Sequence, residues 1–276
     1  MAGARGGELS AAHSPMDGRP PLQAALFDAG GTLVRLDFEW MSEAVTSLGF
    51  PLDASTLRHA EIEGRRAYDA SRGHPQAPGA IHPPLGASGD TDAYFEGMLA
   101  AAGVPRAIVE QAVAGFLARH RDHGLWSRPL EGARAALDAT LAMGLRIAVV
   151  SNSDGRAEQH LIESGVRAGL EFVVDSQVVG IEKPDPRIFR FAIDRLGIAA
   201  ERTIYVGDLL SIDARGARAA GLQFVLVDPY DNYAPIDVPS ISGMELLPRY
   251  LLENFDVGGQ SGAPASSAPT PNRAVP

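Results

Sequence analysis

The sequence predicts an α/β fold: a doubly wound parallel sheet with an all-helical domain inserted into it. Three observations carry this expectation. Short runs rich in Val, Ile and Phe alternate with segments of three- and four-residue apolar spacing, the pattern of strands covered on both faces and joined by helices. The connections are short, which implies right-handed crossovers between parallel strands. One stretch of about ninety residues, 37–126, breaks the alternation with helical patterns and no convincing strand. It holds more helices than a single crossover needs.

The elements follow in order. Residues 1–20 are Gly, Ala, Ser and Pro with scattered charge, and are expected to form a disordered tail. The core opens over 21–36, where 22–27 (LQAALF) reads as a buried strand. The insert, 37–126, reads as helices near 38–49, 54–70, 90–102 and 105–121, with a Pro/Gly/His-rich loop at 71–89 between the two pairs. The core resumes over 127–255. Its helices fall at 131–143, 157–164, 186–196 and 212–220, and its strands at 146–150, 171–174, 203–206 and 223–227. Gly144, Gly165, Gly197 and Gly221 stand just past the four helices, where left-handed C-caps belong. Residues 256–276 are low in complexity and predict a second disordered tail.

Composition excludes several functions. A net charge of −10 argues against a general nucleic-acid binder. The absence of cysteine removes disulfides, thiolate catalysis and Cys-based metal sites. The first twenty residues lack the apolar run of a signal peptide. No stretch approaches the ~18 apolar residues of a membrane helix. A cytoplasmic protein with no membrane partner is the expectation. Of the 24 Lys and Arg residues, Lys183 is the only lysine, so any mechanism that needs a lysine has one candidate.

In an open parallel sheet, ligands bind beyond the carboxyl ends of the strands. Asp28, Gly30 and Thr32 follow the first strand, Ser151 and Asn152 the second, and Asp208 the fourth, with Asp213 five residues on. Lys183 lies between the third and fourth. Acidic groups, a hydroxyl and an ammonium on one edge suit phosphoryl transfer. A carboxylate attacks phosphorus, oxygen ligands hold Mg²⁺, and lysine and hydroxyl neutralise phosphate oxygens. Each residue also has a plainer reading. Asp28 and Asp208 are good N-caps, Ser151 and Asn152 good turn residues, and Lys183 a solvated loop lysine.

The segments ALFDAGGTL, AVVSNS, EKPDP and YVGDLLSID resemble, in order, the four motifs of the haloacid dehalogenase-like superfamily. The resemblance covers about residues 22–230 and is nearest the phosphoglycolate-phosphatase-like branch. It implies a Rossmann-like core with a helical cap where the insert stands, and a Mg²⁺-dependent phosphatase acting on a small phosphorylated metabolite. It also implies roles. Asp28 would be the nucleophile that forms an aspartyl-phosphate, and Thr32 would orient its loop. Ser151 and the Asn152 backbone would hold the phosphoryl group, and Lys183 would screen its charge. Asp28, the Gly30 backbone carbonyl, Asp208 and Asp213 would hold the metal or its waters.

One position departs from the motif. The resembled phosphatases carry a second Asp two residues after the nucleophile, to protonate the leaving oxygen and activate water; here that position is Gly30. Positioned acid–base catalysis contributes roughly 10²- to 10⁴-fold. Leaving groups that need little protonation, a substitute group from the cap, or a non-catalytic role are the readings open. A metal-free 2-haloacid dehalogenase is the alternative enzyme, although Asp208 and Asp213 argue against it. A phosphonate hydrolase would need a cap lysine, which the insert lacks. Arg65, Arg66, Tyr68, Arg72, His74 and His82 are weak candidates for substrate contact, and Arg35 for the site mouth. His120 and His123 are expected to serve a helix end. Trp40 and Trp126 are expected to pack on the insert's two hinge strands.

Overall fold

The computed structural model describes residues 18–72, 89–230, 233 and 237–257. Most of both expected tails, and His74 and His82 of the central loop, lie outside the described residues. A six-stranded parallel sheet forms the core, in the order β5 (Val173–Asp175), β4 (Arg146–Ser151), β1 (Ala24–Phe27), β6 (Thr203–Gly207), β7 (Gln223–Val227), β8 (Ser240–Ile241). Every residue of β1 is buried. Ala25 and Phe27 join one apolar layer with Leu137 and Leu161, and Ala24 and Leu26 join the other with Phe189 and Leu196. This two-sided burial is why the strands read as unbroken apolar runs. From β4 the chain runs outward to β5, and from β6 outward to β7 and β8. Strand order therefore reverses at β1, and a crevice opens at the carboxyl ends there.

The helical insert stands between the two strands of an antiparallel ribbon, β2 (Val34–Leu36) and β3 (Trp126–Pro129). Its helices are α1 (Phe38–Ser47), α2 (Ala54–Ser71), α3 (Gly89–Ala101) and α4 (Arg106–His123). Asp37 and Asp53 cap α1 and α2 by accepting from Trp40 N and Thr56 N. Phe38, Phe95, Phe116 and Leu57 form the insert's own apolar cluster. Trp40 belongs to that cluster, edge-on to Phe116 with Arg119 over its ring.

The core helices are α5 (Ala133–Ala142), α6 (Ala157–Glu163), α7 (Ser176–Val179), α8 (Pro186–Leu196), α9 (Arg215–Ala220) and α10 (Leu247–Asn254). The four predicted C-cap glycines all have positive φ. The short α7, β8 and α10 are not expected from the sequence, β1 begins two residues later than 22, and two further elements differ in their bounds. The third strand begins two residues later than 171, because pairing with β4 runs from Val149↔Val173 to Ser151↔Asp175. The expected helix at 212–220 is preceded by a wide π turn, Leu210–Ala214, and α9 begins only at Arg215. The Asp69 carboxylate accepts from two of that turn's backbone N–H groups, Leu210 N and Ser211 N.

Candidate active site

Asp28 sits one residue past β1, its backbone N–H donating to Val206 O at 2.9 Å. Ser151 ends β4 and Asp208 follows β6 directly. With Asp213 these residues are buried. One carboxylate oxygen from each of Asp28, Asp208 and Asp213 lies within 4.8 Å of the others. Gly31, at φ +77°, makes the close approach possible, since a Cβ there would stand 2.1 Å from Asp208 Oδ2.

Lys183 is completely buried between two of these acids. Its Nζ donates to Asp28 Oδ1 at 2.7 Å, Asp213 Oδ1 at 2.8 Å and the Tyr205 hydroxyl at 3.0 Å. Tyr205 in turn donates to Val150 O. Burial lowers the Lys183 pKa, but Asp213 and Asp28 outweigh it and hold the ammonium charged. Burial pushes the Asp28 carboxyl up to about 6; Lys183 opposes this and Asp213 adds to it. Asp208 is held well above the usual carboxylate range by burial, against the pull of Arg65.

Asn152 has a job that its turn-like sequence setting hides. Its side chain accepts from Lys183 N at 2.8 Å and donates to Lys183 O at 3.0 Å, clamping the lysine's backbone. Ser151 Oγ lies at 3.5 Å from Asn152 O and faces a cavity of about 510 Å³ with Asp28, Lys183 and Asp208. Thr32 is buried, and its Oγ1 has no hydrogen-bond partner among the described residues. Asp208 Oδ1 is likewise buried and unpartnered. An oxygen-only donor set with such an orphan fits a hard cation such as Mg²⁺.

The insert closes the cavity with Tyr68, Tyr94, Asp92, Leu117 and His120. Several residues stand elsewhere than expected. Trp126 lies on β3 itself and lines the cavity, its ring tilted against Tyr94 and Phe95. An ideal Cβ at Gly30 would sit 3.1 Å from its Cδ1 and 3.3 Å from its Nε1, so the indole covers the space of the missing carboxylate. His120 is a cavity-wall residue, and its Nδ1 accepts from Leu125 N at 3.3 Å. Arg35 turns away from the site mouth, pairs with Glu39 at 3.0 Å and borders a second cavity. Arg66 pairs with Glu63 on the surface, and Arg72 lies over the Tyr68 ring.

Arg65 reaches the core edge. It is buried, with Nη1 3.4 Å from Asp208 Oδ2 and Nη2 3.6 Å from Glu61 Oε2. Glu61 accepts from the Tyr94 hydroxyl at 2.7 Å. Asp69 lies one turn further and also contacts the core. The available signal was the spacing Glu61, Arg65, Asp69, four residues apart on one helix face. Such charged spacing more often marks a solvated face.

A family model described as haloacid dehalogenase-like hydrolase matches residues 22–221. The chain is 38% identical over 141 residues to haloacid dehalogenase-like hydrolase domain-containing protein 3 of Mus musculus, a match covering 50% of this chain and 56% of that protein. It is 33% identical over 144 residues to glyceraldehyde 3-phosphate phosphatase of Methanopyrus kandleri, covering 51% and 62%. These matches span between half and two thirds of the relatives' lengths. Among solved structures, the hydrolase YfnB of Bacillus subtilis, bound to magnesium, aligns with a TM-score of 0.54 and 21% identity over 84% of this chain and 99% of that one. At that identity the likeness is one of fold. Among the described residues no helix is long and apolar enough to cross a membrane.

Proposed function

Because the chain belongs to the haloacid dehalogenase-like hydrolase family, we propose that it is a phosphohydrolase that transfers the phosphoryl group of a small phosphorylated metabolite to Asp28. The observation that carries the reading is the carboxylate trio of Asp28, Asp208 and Asp213, with Asp208 Oδ1 buried and unpartnered. Asp28, Asp208 and Asp213, with the Gly30 carbonyl, would hold Mg²⁺, which offsets charge on the phosphoryl oxygens when bound. The insert, which lines the cavity through Tyr68, Tyr94 and Leu117, acts as its cap.

The chain's own groups divide the work. An Asp28 carboxylate oxygen attacks phosphorus, the bond to the leaving oxygen breaks, and water then cleaves the aspartyl-phosphate to return Asp28 and release phosphate. Lys183 keeps Asp28 oriented and neutralises negative charge beside it. Ser151 Oγ and the Asn152 backbone bind phosphoryl oxygens, while the Asn152 side chain fixes Lys183.

Gly30 and Trp126 restrict the leaving group. The indole N–H beside Gly30 can donate a hydrogen bond to a leaving oxygen but cannot transfer a proton. An acyl, anhydride or aryl phosphate, whose leaving oxygen departs as an anion, suits this site better than an alkyl ester. His120 is a poor substitute acid, since Nδ1 is engaged by Leu125 N and burial depresses its pKa.

The test is turnover of acetyl phosphate, an aryl phosphate and glycerol phosphate, each with Mg²⁺ and with EDTA, by wild type and Asp28→Asn. Acetyl phosphate turnover that needs both Mg²⁺ and Asp28 is expected. Turnover indifferent to Asp28, or chloride release from a 2-haloacid that persists in EDTA, overturns the reading.

A further inference from the structure

The turn that presents Asp208 and Asp213 is held from two sides. On the core side, Asp213 Oδ2 accepts from Asp208 N and Leu209 N, both at 3.1 Å. On the other, Asp69 of α2 accepts from Ser211 N at 3.0 Å through Oδ1, and from Leu210 N at 3.3 Å through Oδ2. The Tyr233 hydroxyl also donates to Asp69 Oδ2, at 2.9 Å. The first N–H groups of a helical turn have no partner within it, and here a carboxylate from a distant helix supplies one. One turn earlier on the same face, Arg65 stands 3.4 Å from Asp208 Oδ2 and 3.4 Å from Val227 O.

The two contacts are complementary. Asp69 fixes the backbone between the two acids. Arg65 engages one oxygen of Asp208 and leaves the other, Oδ1, buried and without a partner. Asp69, Arg65 and Glu61 are all buried, so these contacts act with little screening by solvent.

We propose that Asp69 and Arg65 are positioning residues for the cation site: two side chains of the helical insert that set the backbone and the carboxylate orientation of the core's Asp208 and Asp213. This rests on the cation reading of the trio given above. Its consequence is that the insert is part of the site's scaffold as well as a wall of the cavity. Displacing α2 from the Leu210–Ala214 turn weakens cation binding, and by reciprocity a bound cation favours the docked α2.

The experiment is direct cation binding at one fixed pH. Mg²⁺ affinity is measured by calorimetry and Mn²⁺ affinity by the spin-resonance signal of free Mn²⁺, on wild type, Asp69→Asn, Arg65→Met and Arg65→Lys. Arg249→Met, on the surface of α10, serves as control. Loss of an outer partner of a metal ligand typically costs 10- to 100-fold in affinity, and a drop of about that size is expected for Asp69→Asn and Arg65→Met. Arg65→Lys should recover part of it. Thermal unfolding alone does not decide, because a merely structural contact lowers Tm without moving affinity. If Asp69→Asn does not fold, the Arg65→Met and Arg65→Lys pair decides. Affinities equal to wild type overturn the proposal alone. Tighter binding by Arg65→Met also overturns it, since it makes the guanidinium a competitor for Asp208. A wild-type protein that binds neither ion overturns the cation reading and this proposal together.

Discussion

Two sets of charged side chains meet at the candidate cation site, and they are built on opposite principles. On the core side, Asp28, Ser151 and Asp208 each stand at the end of a parallel strand or one residue past it. On the insert side, Glu61, Arg65 and Asp69 stand on one helix, spaced by four. The core set is placed by local chain geometry, because a strand end in a doubly wound sheet delivers its next residue to the crevice. The insert set is placed by how a whole helix docks. The difference teaches that one site can be rigidly specified on one face and depend on tertiary contact on the other.

The largest effect is expected where the core set is most tightly closed. Lys183→Met leaves Asp28 and Asp213 facing each other without the ammonium that now stands 2.7 and 2.8 Å from them. Breaking a buried ion pair by removing one partner costs about 3–5 kcal/mol, so Tm should fall by roughly 6–20 °C. Scanning calorimetry checks this. A drop below about 2 °C would mean that the acids are accommodated without Lys183, and that the core face is less closed than its geometry implies. Lys183→Arg should not restore stability, since the buried slot suits a compact ammonium rather than a planar fork.

Gly30→Asp comes next, and it sharpens the comparison at the boundary between the two faces. The new Cβ would sit 3.1 Å from Trp126 Cδ1, so the indole must give by a few tenths of an ångström. With that accommodation, the carboxylate supplies the missing proton transfer. Glycerol phosphate turnover relative to acetyl phosphate should rise about 10²-fold, the lower end of what positioned acid–base groups contribute. An unchanged ratio would show that the leaving group does not meet residue 30.

On the insert side, Tyr94→Phe removes the donor to Glu61, which then stays buried beside Arg65 with one fewer partner. Leaving a buried acceptor unsatisfied costs about 1–3 kcal/mol, a smaller loss than at Lys183. Chemical denaturation measures it. A loss as large as that of Lys183→Met would erase the distinction between the two faces.

The same division explains what the sequence made legible. Five of the sheet's six strands, the helical insert and the eight core-edge residues follow from apolar runs, spacing and motif; β8 does not. The structure assembles Asp28, Ser151, Asn152, Lys183, Asp208 and Asp213 around one crevice. Local pattern did not disclose the π turn, whose first N–H groups are bound by Asp69, 141 residues earlier than its partner Leu210. Nor did it disclose Trp126 over Gly30, because a ribbon residue reaches the site only once β2 and β3 pair. Arg65 reads only as a weak candidate for substrate contact, and Glu61 and Asp69 carry no signal of their own; α2 turns all three inward.

The smallest effect concerns the cavity rim, where the faces join through His120 and His160. Burial lowers both pKa values from the usual 6.5, and Arg156 adds to it; Asp154 opposes. For a histidine whose folded pKa is depressed, the unfolded chain binds more protons in acid. Its stability is therefore complete above about 6.5 and falls as pH drops through the folded value. Asp28 acts with the opposite sign. Its carboxyl is raised to about 6, so its contribution is present in acid and is lost as pH rises through that value. Wild type therefore mixes the two, and comparison with variants separates them. Between pH 7.5 and 5.5, His160→Gln should lose less Tm than wild type, because it lacks the ring that burial and Arg156 hold below its usual pKa. His120→Gln should show the smaller difference, because that ring is more exposed and keeps more of its hydration. Tm profiles of the three proteins that superimpose across this range would show that the rim carries no acid-sensitive load, leaving Asp69 and Arg65 as the polar contacts that join the two faces.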